Sequence, residues 1–288
     1  MEHPSVETIE NLKRLVKDYD GLTNLIVQTK QRIAARNPGL NADQLEKGPY
    51  KFDSVLNGYT GTKREAQGLE QIKGRVSRRL EKEIVFWRIW NEWLKHIPGI
   101  GPWIGGRLII AYYYRFMPVC PKCHENLVKK EIDEKNVFWC ERGKKSVKGD
   151  GVSTYALEYK QFNNISAWRS YMGYQINEDG KMPKREKGKK SNWSTKNRTT
   201  GYMIGDQFNR PPMDCPYRIY FRKIKEQYHA NEAYKDYSKG HIHAMARHRT
   251  IKLFLSHFWD VDQRLKGVKA PTHPWIIQFG GHTDYTPP

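Results

Sequence analysis

Three cysteines fall close together in the middle of the chain. Two form Cys120-Pro121-Lys122-Cys123, and Cys140 follows in Phe-Trp-Cys-Glu-Arg-Gly, with sixteen residues between it and Cys123. Two thiols separated by two residues have the knuckle spacing of a zinc ribbon, where deprotonated sulfurs take adjacent corners of a tetrahedron. A ribbon ordinarily repeats the pair, and here the second pair is missing. The fourth ligand must then come from elsewhere. Cys215, in Met-Asp-Cys-Pro-Tyr-Arg, is the thiol left to supply it, because an all-cysteine set is a favoured structural site. His124, adjacent to Cys123, is the poorer choice geometrically. The expectation is a structural zinc held by Cys120, Cys123, Cys140 and Cys215, with no open coordination position. The competing reading is a set of free intracellular thiols, and magnesium is left undecided.

A second group concerns phosphate. Residues 95–109 read KHIPGIGPWIGGRLI. The pattern Ile97-Pro-Gly-Ile-Gly101 is that of a helix-hairpin-helix. Glycines at 99 and 101 permit a tight turn and a close backbone approach, around Ile100. The following helix would aim its free N–H groups and positive dipole end at a phosphate. Pro102 suits a first helical turn, and Arg107 could add a charge-assisted contact. Such a grip reads backbone, not base sequence. An ordinary tight turn between two helices explains the same residues.

A third group is the lysine-rich segment 181–198, KMPKREKGKKSNWSTKNR. It gathers Lys189, Lys190, Lys196 and Arg198 around Trp193, a ring suited to stacking on an unpaired base. Further on, Arg247 and Arg249 lie beside His241, His243 and His248 in GHIHAMARHR. The histidine spacing lacks the i, i+4 pair of a helical metal site, so this face reads as polar or phosphate-contacting.

Composition agrees. Lys and Arg number 50 against 31 Asp and Glu in 288 residues, a formal net charge of +19. An excess of that size favours a polyanionic partner, nucleic acid being the commonest. Nine Trp and seventeen Tyr argue for a folded core rather than disorder. No apolar run approaches the ~20 residues of a membrane span, and the N-terminus has no signal-peptide pattern. The expectation is an intracellular, cytoplasmic (nucleoid-associated) protein without membrane partners.

The elements that must position these groups are mainly helical. An apolar stripe at Leu12, Val16, Tyr19, Leu22, Ile26 and Ile33 predicts a helix over 6–34. Turn chemistry fills 37–61, and a second stripe from Leu69 to Leu94 predicts a helix over 62–96. The fold class expected is mainly α. A long, coiled-coil-like helical hairpin (1–96) precedes a helix-hairpin-helix (97–117), whose helix runs on through RLIIAYYYRF. A small zinc-ribbon-like cysteine insertion (118–150), a helical domain with the basic loop (151–266) and an irregular tail (267–288) follow. The N-terminal hairpin either packs within one chain or joins two copies as a homo-oligomer.

In order and spacing, IPGIG, SAWRSYMGY, GKKSNWSTKNRTT, CPYRIYFRKIKEQY and KGHIHAMARHRTIKLFLSHFW resemble the C-terminal half of the Piv-type helix-hairpin-helix transposases, a family that includes bridge-RNA-guided recombinases. The resemblance spans about residues 80–265. It implies a protein of DNA rearrangement whose partners are DNA and a guide or structured RNA. It places the family's nucleophilic serine at Ser194, with Lys190, Lys196 and Arg198 able to offset transition-state charge. The family's RuvC-like domain and its four acidic ligands have no counterpart in these residues. Ser194 can equally cap a helix starting near Thr195, and the rival function is a non-catalytic DNA- or RNA-binding protein stabilised by zinc.

Overall fold

The computed structural model describes residues 4–58, 67–132, 135–147, 155–177, 182–188, 191, 193–210, 214–268 and 288. The helices in chain order are α1 (Val6–Arg36), α2 (Ala42–Lys47), α3 (Pro49–Phe52), α4 (Ser54–Asn57), α5 (Leu69–Ile84), α6 (Arg88–Glu92), α7 (Pro102–Tyr113), α8 (Ile165–Tyr171), α9 (Thr195–Gln207), α10 (Pro216–Ala230) and α11 (Lys239–Leu265). Five strands lie between α7 and α8: β1 (Tyr114–Pro118), β2 (Val128–Ile132), β3 (Lys135–Cys140), β4 (Lys145–Val147) and β5 (Tyr155–Tyr159). The chain is mainly helical, and among the described residues no helix is long and apolar enough to cross a membrane.

Two compact units divide the chain. The larger combines residues 1–107 with 164–288, and the smaller is 108–163.

In the larger unit, α1 begins where Ser5 accepts the Thr8 N–H at 3.2 Å, relieving one of the unpaired donors of the first turn. Its stripe of Ile9, Leu12, Leu15, Val16, Ile26 and Ile33 is buried, and it packs along α5. The intervening segment is more ordered than turn chemistry predicts. Asn41 and Gln44 form a reciprocal capping box at α2, and Asp53 caps α4. Leu56 is then set against Ile26 and Ile33.

The second helix is shorter than its stripe predicts. It ends at Ile84, Trp87 adopts an extended conformation (φ −101°, ψ 120°), and α6 and a 3-10 turn at Leu94–His96 follow. Residues 62–66 of the expected helix lie outside the described residues. The break has a packing cause. Trp87, Ile89, Trp90 and Leu94 are all buried, and one face of a straight helix cannot bury residues spaced by two, one and four.

Around α11 the core is aromatic. Phe254 stacks on Trp93 with centroids 5.4 Å apart and packs with Phe208 and Tyr217 at 5.5 Å. Phe258 meets Trp168 at 5.7 Å. Such pairs add about 0.5–1.5 kcal/mol each beyond their buried area. On α11, Ile242, Phe254, Leu255 and Phe258 are buried, and Met245 is half-buried. Helix α9 begins at Thr195, directly after Ser194.

The smaller unit corrects two expectations. The helix of RLIIAYYYRF stops at Tyr113, and Tyr114–Pro118 is a strand paired antiparallel with β5, from Tyr114↔Tyr159 to Pro118↔Tyr155. The cysteine-bearing region therefore extends over 108–163 rather than 118–150. A β2-β3-β4 antiparallel sheet sets Phe138 and Val147 against the buried Leu127, Cys120 and Cys140. Of the expected tail, 269–287 lies outside the described residues.

Candidate nucleic-acid interface and metal site

Gly99, Ile100 and Gly101 lie in the turn between the 3-10 turn at Leu94–His96 and α7. Gly99 has φ +88°, and a Cβ there would sit 2.8 Å from Cβ of Gln207. Its glycine is required twice over, by backbone conformation and by the close approach of α9. Ile100 is buried, so it anchors the turn rather than facing a ligand. Gly101 is exposed, with open space where a side chain would be. Its carbonyl accepts the Gly105 N–H at 2.9 Å as α7 begins.

Arg107 is not part of that surface. Its side chain is only 9% exposed and its Nη1 lies 2.6 Å from Asp20 Oδ1. Nε donates to Thr200 Oγ1 at 2.9 Å, and the guanidinium lies 5.5 Å from the Trp103 ring centre. Asp20 also accepts from Trp103 Nε1 at 2.8 Å and pairs with Lys196 Nζ at 3.1 Å. The expected phosphate contact is instead a strut joining α1, α7 and α9. Lys196, expected as a free cation, already has a carboxylate partner.

Trp193 is likewise a core ring. It is buried, with Arg198 4.9 Å and Arg185 5.6 Å from its centre, and so presents no free face to a base. Arg198 donates to Pro183 O at 2.7 Å. Ser194 occupies the N-cap position of α9, but its hydroxyl makes no capping bond. Lys189 and Lys190 lie outside the described residues.

The cations that do converge are partly ones the sequence reading passed over. Arg169 on α8 donates through Nε to the Lys252 carbonyl at 3.3 Å and through Nη2 to Ser256 Oγ. Arg249 is hydrogen-bonded to Tyr228 and Tyr220 of α10. Between them, burial and then the charges of Arg169 and Arg249 pull the Lys252 ammonium down to about 8. On the adjoining side of α11, Arg247 lies 4.0 Å from the Tyr202 ring centre. The neighbouring acids are taken: Asp206 by Arg210, Asp260 by Arg264 and Asp262 by Lys266. Among the described residues, no carboxylate pairs with Arg169, Arg198, Arg247, Arg249 or Lys252. Like charges held this close repel, and a bound anion would relieve the repulsion. The signal available in sequence was the i, i+3 pair Arg249 and Lys252. Nothing in the local pattern marked Arg169.

His248 sits within this belt, stacked on Tyr174 at 5.1 Å. Burial, followed by Lys252, Arg198 and Arg247, holds its pKa at about 3. The unfolded chain binds a proton here below about pH 6.5 that the folded chain refuses until about pH 3. Stability from this group is therefore present above 6.5 and lost as pH falls. The expected loss between pH 7 and about 4.5 is on the order of 2–3 kcal/mol. Urea unfolding at both pH values should show this loss in the native chain and a clearly smaller one in His248→Gln. Equal losses would refute it. The other histidines are spread out: His243 is hydrogen-bonded to Asn209 and His241 packs on Tyr237.

In the smaller unit, the Sγ atoms of Cys120, Cys123 and Cys140 lie within 4.8 Å of one another, and those of Cys123 and Cys140 are 3.4 Å apart. Tetrahedral zinc, with Zn–S near 2.3 Å, sets sulfurs about 3.8 Å apart, so the trio fits a metal ion. Backbone N–H groups of Lys122 and Cys123 pull the Cys120 thiol down to about 7, which favours the ligating thiolate. Cys215 is not in this group. It belongs to the other unit, buried at the N-cap of α10.

Compared with protein-family models, with curated proteins and with solved structures, the chain finds no match.

Proposed function

We propose that this protein grips the phosphate backbone of nucleic acid, as the binding part of a recombinase-like machinery of DNA rearrangement. The observation that carries the reading is the belt of Arg169, Arg198, Arg247, Arg249 and Lys252, which pairs with no carboxylate among the described residues. The net charge of +19, the exposed Gly101 turn and the motif order that resembles Piv-type transposases support it. The ligand is DNA, or DNA with a structured RNA. Three thiolates, from Cys120, Cys123 and Cys140, hold a structural zinc that fastens the smaller unit.

In the catalytic form of this reading, the Ser194 hydroxyl gives up its proton to water and its oxygen bonds to phosphorus. The bond from phosphorus to the leaving deoxyribose oxygen breaks, and that oxygen takes up a proton from water, so no proton is gained or lost overall. The uncapped hydroxyl at the start of α9 favours this form. Pairing of Arg107 and Lys196 with the one Asp20 carboxylate favours the non-catalytic one, since less net positive charge remains near Ser194 to stabilise a phosphorane.

The test is binding to labelled duplex DNA and to structured RNA across salt concentrations. Log affinity should fall linearly with log salt, with a slope of ~0.9 per phosphate contact on duplex. Absence of binding at low salt would sink the proposal. A covalent protein–DNA adduct that disappears in Ser194→Ala selects the catalytic form, and binding without an adduct selects the other.

A further inference from the structure

The two turns that carry the cysteines are built alike. In the first, Cys120 is followed three residues later by Cys123 and then by His124 at φ +58°. In the second, Cys140 is followed three residues later by Gly143 and then by Lys144 at φ +44°. His124 and Lys144 are the two left-handed non-glycine residues among the described residues. Side chains seldom adopt that conformation, so its appearance at matching places marks a shared turn. The sulfur bonding matches as well. Cys120 Sγ accepts backbone N–H groups from Lys122 and Cys123, and Cys140 Sγ accepts the N–H of Gly143 at 3.2 Å.

Superposing the logic of one turn on the other puts Gly143 where a second cysteine would stand. A Cβ built on Gly143 would lie 3.3 Å from Cys140 Sγ, beside the thiol trio. No other described side chain closes that corner. His124 follows Cys123 directly, but its ring nitrogens fall outside the converging group. Glu125 and Glu141 are drawn off by Arg142 and Lys130.

From this we infer that the metal site is a three-thiolate centre whose fourth corner, beside Gly143, is filled by no other described side chain and takes an exchangeable ligand. The inference rests on the zinc reading above. Three thiolates give divalent zinc a net charge of −1, which a neutral fourth ligand leaves unchanged. The fitting occupant is a neutral single-atom donor: water at rest, displaceable by an imidazole nitrogen. No bond of the protein is made or broken in that exchange. A structural site ordinarily has all four corners filled by protein, whereas an open corner is the mark of a site that can take a ligand.

The experiment is cobalt substitution of the full-length protein, the native chain compared with Gly143→Cys and Gly143→Ala. The native chain should bind one cobalt with thiolate charge-transfer intensity of three sulfurs, and added imidazole should shift its visible d–d bands. Gly143→Cys should raise the charge-transfer intensity by about a third, tighten binding at least tenfold and abolish the imidazole shift, as expected when a fourth thiolate closes a tetrahedral site. Gly143→Ala should behave as the native chain, which controls for loss of the glycine. A native spectrum of four sulfurs, or one indifferent to imidazole, would overturn the open corner while leaving the zinc reading intact. Failure of every variant to bind cobalt or zinc would overturn both.

Discussion

Asp20→Ala is expected to destabilise the larger unit by about 3–5 kcal/mol, the cost of leaving a buried charge without its partner. Asp20 holds three donors at once: Arg107 Nη1 at 2.6 Å, Trp103 Nε1 at 2.8 Å and Lys196 Nζ at 3.1 Å. With the carboxylate gone, the Arg107 guanidinium, only 9% exposed, keeps Thr200 Oγ1 and the Lys196 carbonyl as acceptors and loses its counter-charge. Lys196 and Arg107 are then like charges with nothing between them. Domains are stable by only about 5–15 kcal/mol, so the loss consumes a large share. Urea unfolding should show a much lower midpoint with an unchanged slope. Asp20→Asn retains an acceptor and loses the charge, so its midpoint should fall in between. That variant keeps the measurement possible if the alanine form does not fold. A loss below about 1 kcal/mol in Asp20→Ala, the value of a surface pair, would show that the strut is decorative.

The second large effect concerns binding. Replacing Arg247, Arg249 and Lys252 together with glutamine should lower duplex affinity by about two to three orders of magnitude near 0.1 M salt. It should also flatten the log–log salt slope by about 2.7, the share of three phosphate contacts. Stability should be kept or slightly raised, because the substitutions remove mutual repulsion and no carboxylate loses a partner. A binding loss accompanied by unfolding would point to a packing role instead. An unchanged slope would remove these residues from the interface. Lys252 adds a pH signature. Its ammonium is held down to about 8 by burial, by Arg169 of α8 and by Arg249 of α11, with Tyr220 of α10 close to both arginines. The group is charged below about pH 8 and neutral above, so affinity should hold to that point and weaken beyond it. In Lys252→Gln the weakening should vanish.

Helices with one clean stripe were legible from sequence. The sequence pattern located α1 because that helix buries a single face, through Ile9, Leu12, Val16 and Ile26. It overextended α5 through Trp87 because residues 84–94 keep an apolar rhythm and contain no glycine or proline. The break there is decided by burial on several sides, which is tertiary information. Strand β1 was hidden for a related reason: an apolar run such as LIIAYYYRF suits either helix or strand, and its pairing partner lies about forty residues away.

The sites divide along similar lines. The cysteine trio followed from spacing alone. Cys215 was expected beside it as a fourth thiol and belongs to the other unit. Arg107 was read as facing a ligand because charge beside a hairpin suggests phosphate. Its partner Asp20, 87 residues earlier, could not be inferred from local sequence. Trp193 shows the converse: an aromatic inside a basic run was read as exposed, and the cations fold over its ring.

The insertion of the smaller unit into the larger one bears on how the protein is made. Residues 1–107 form one body with residues 164–288, and Trp93 completes its packing only when Phe254 and Phe258 arrive. At a synthesis rate of roughly 5–20 residues per second, the ribosome needs about 10–30 s to travel from the first of these residues to the last. During that interval the N-terminal helices, with Trp87, Trp90 and Trp93, wait without Phe254 and Phe258, while the cysteine-bearing unit is completed and can fold first. The order of birth is therefore middle, then ends. A chaperone that shields exposed aromatic surface would find its substrate in the N-terminal hundred residues of the nascent chain.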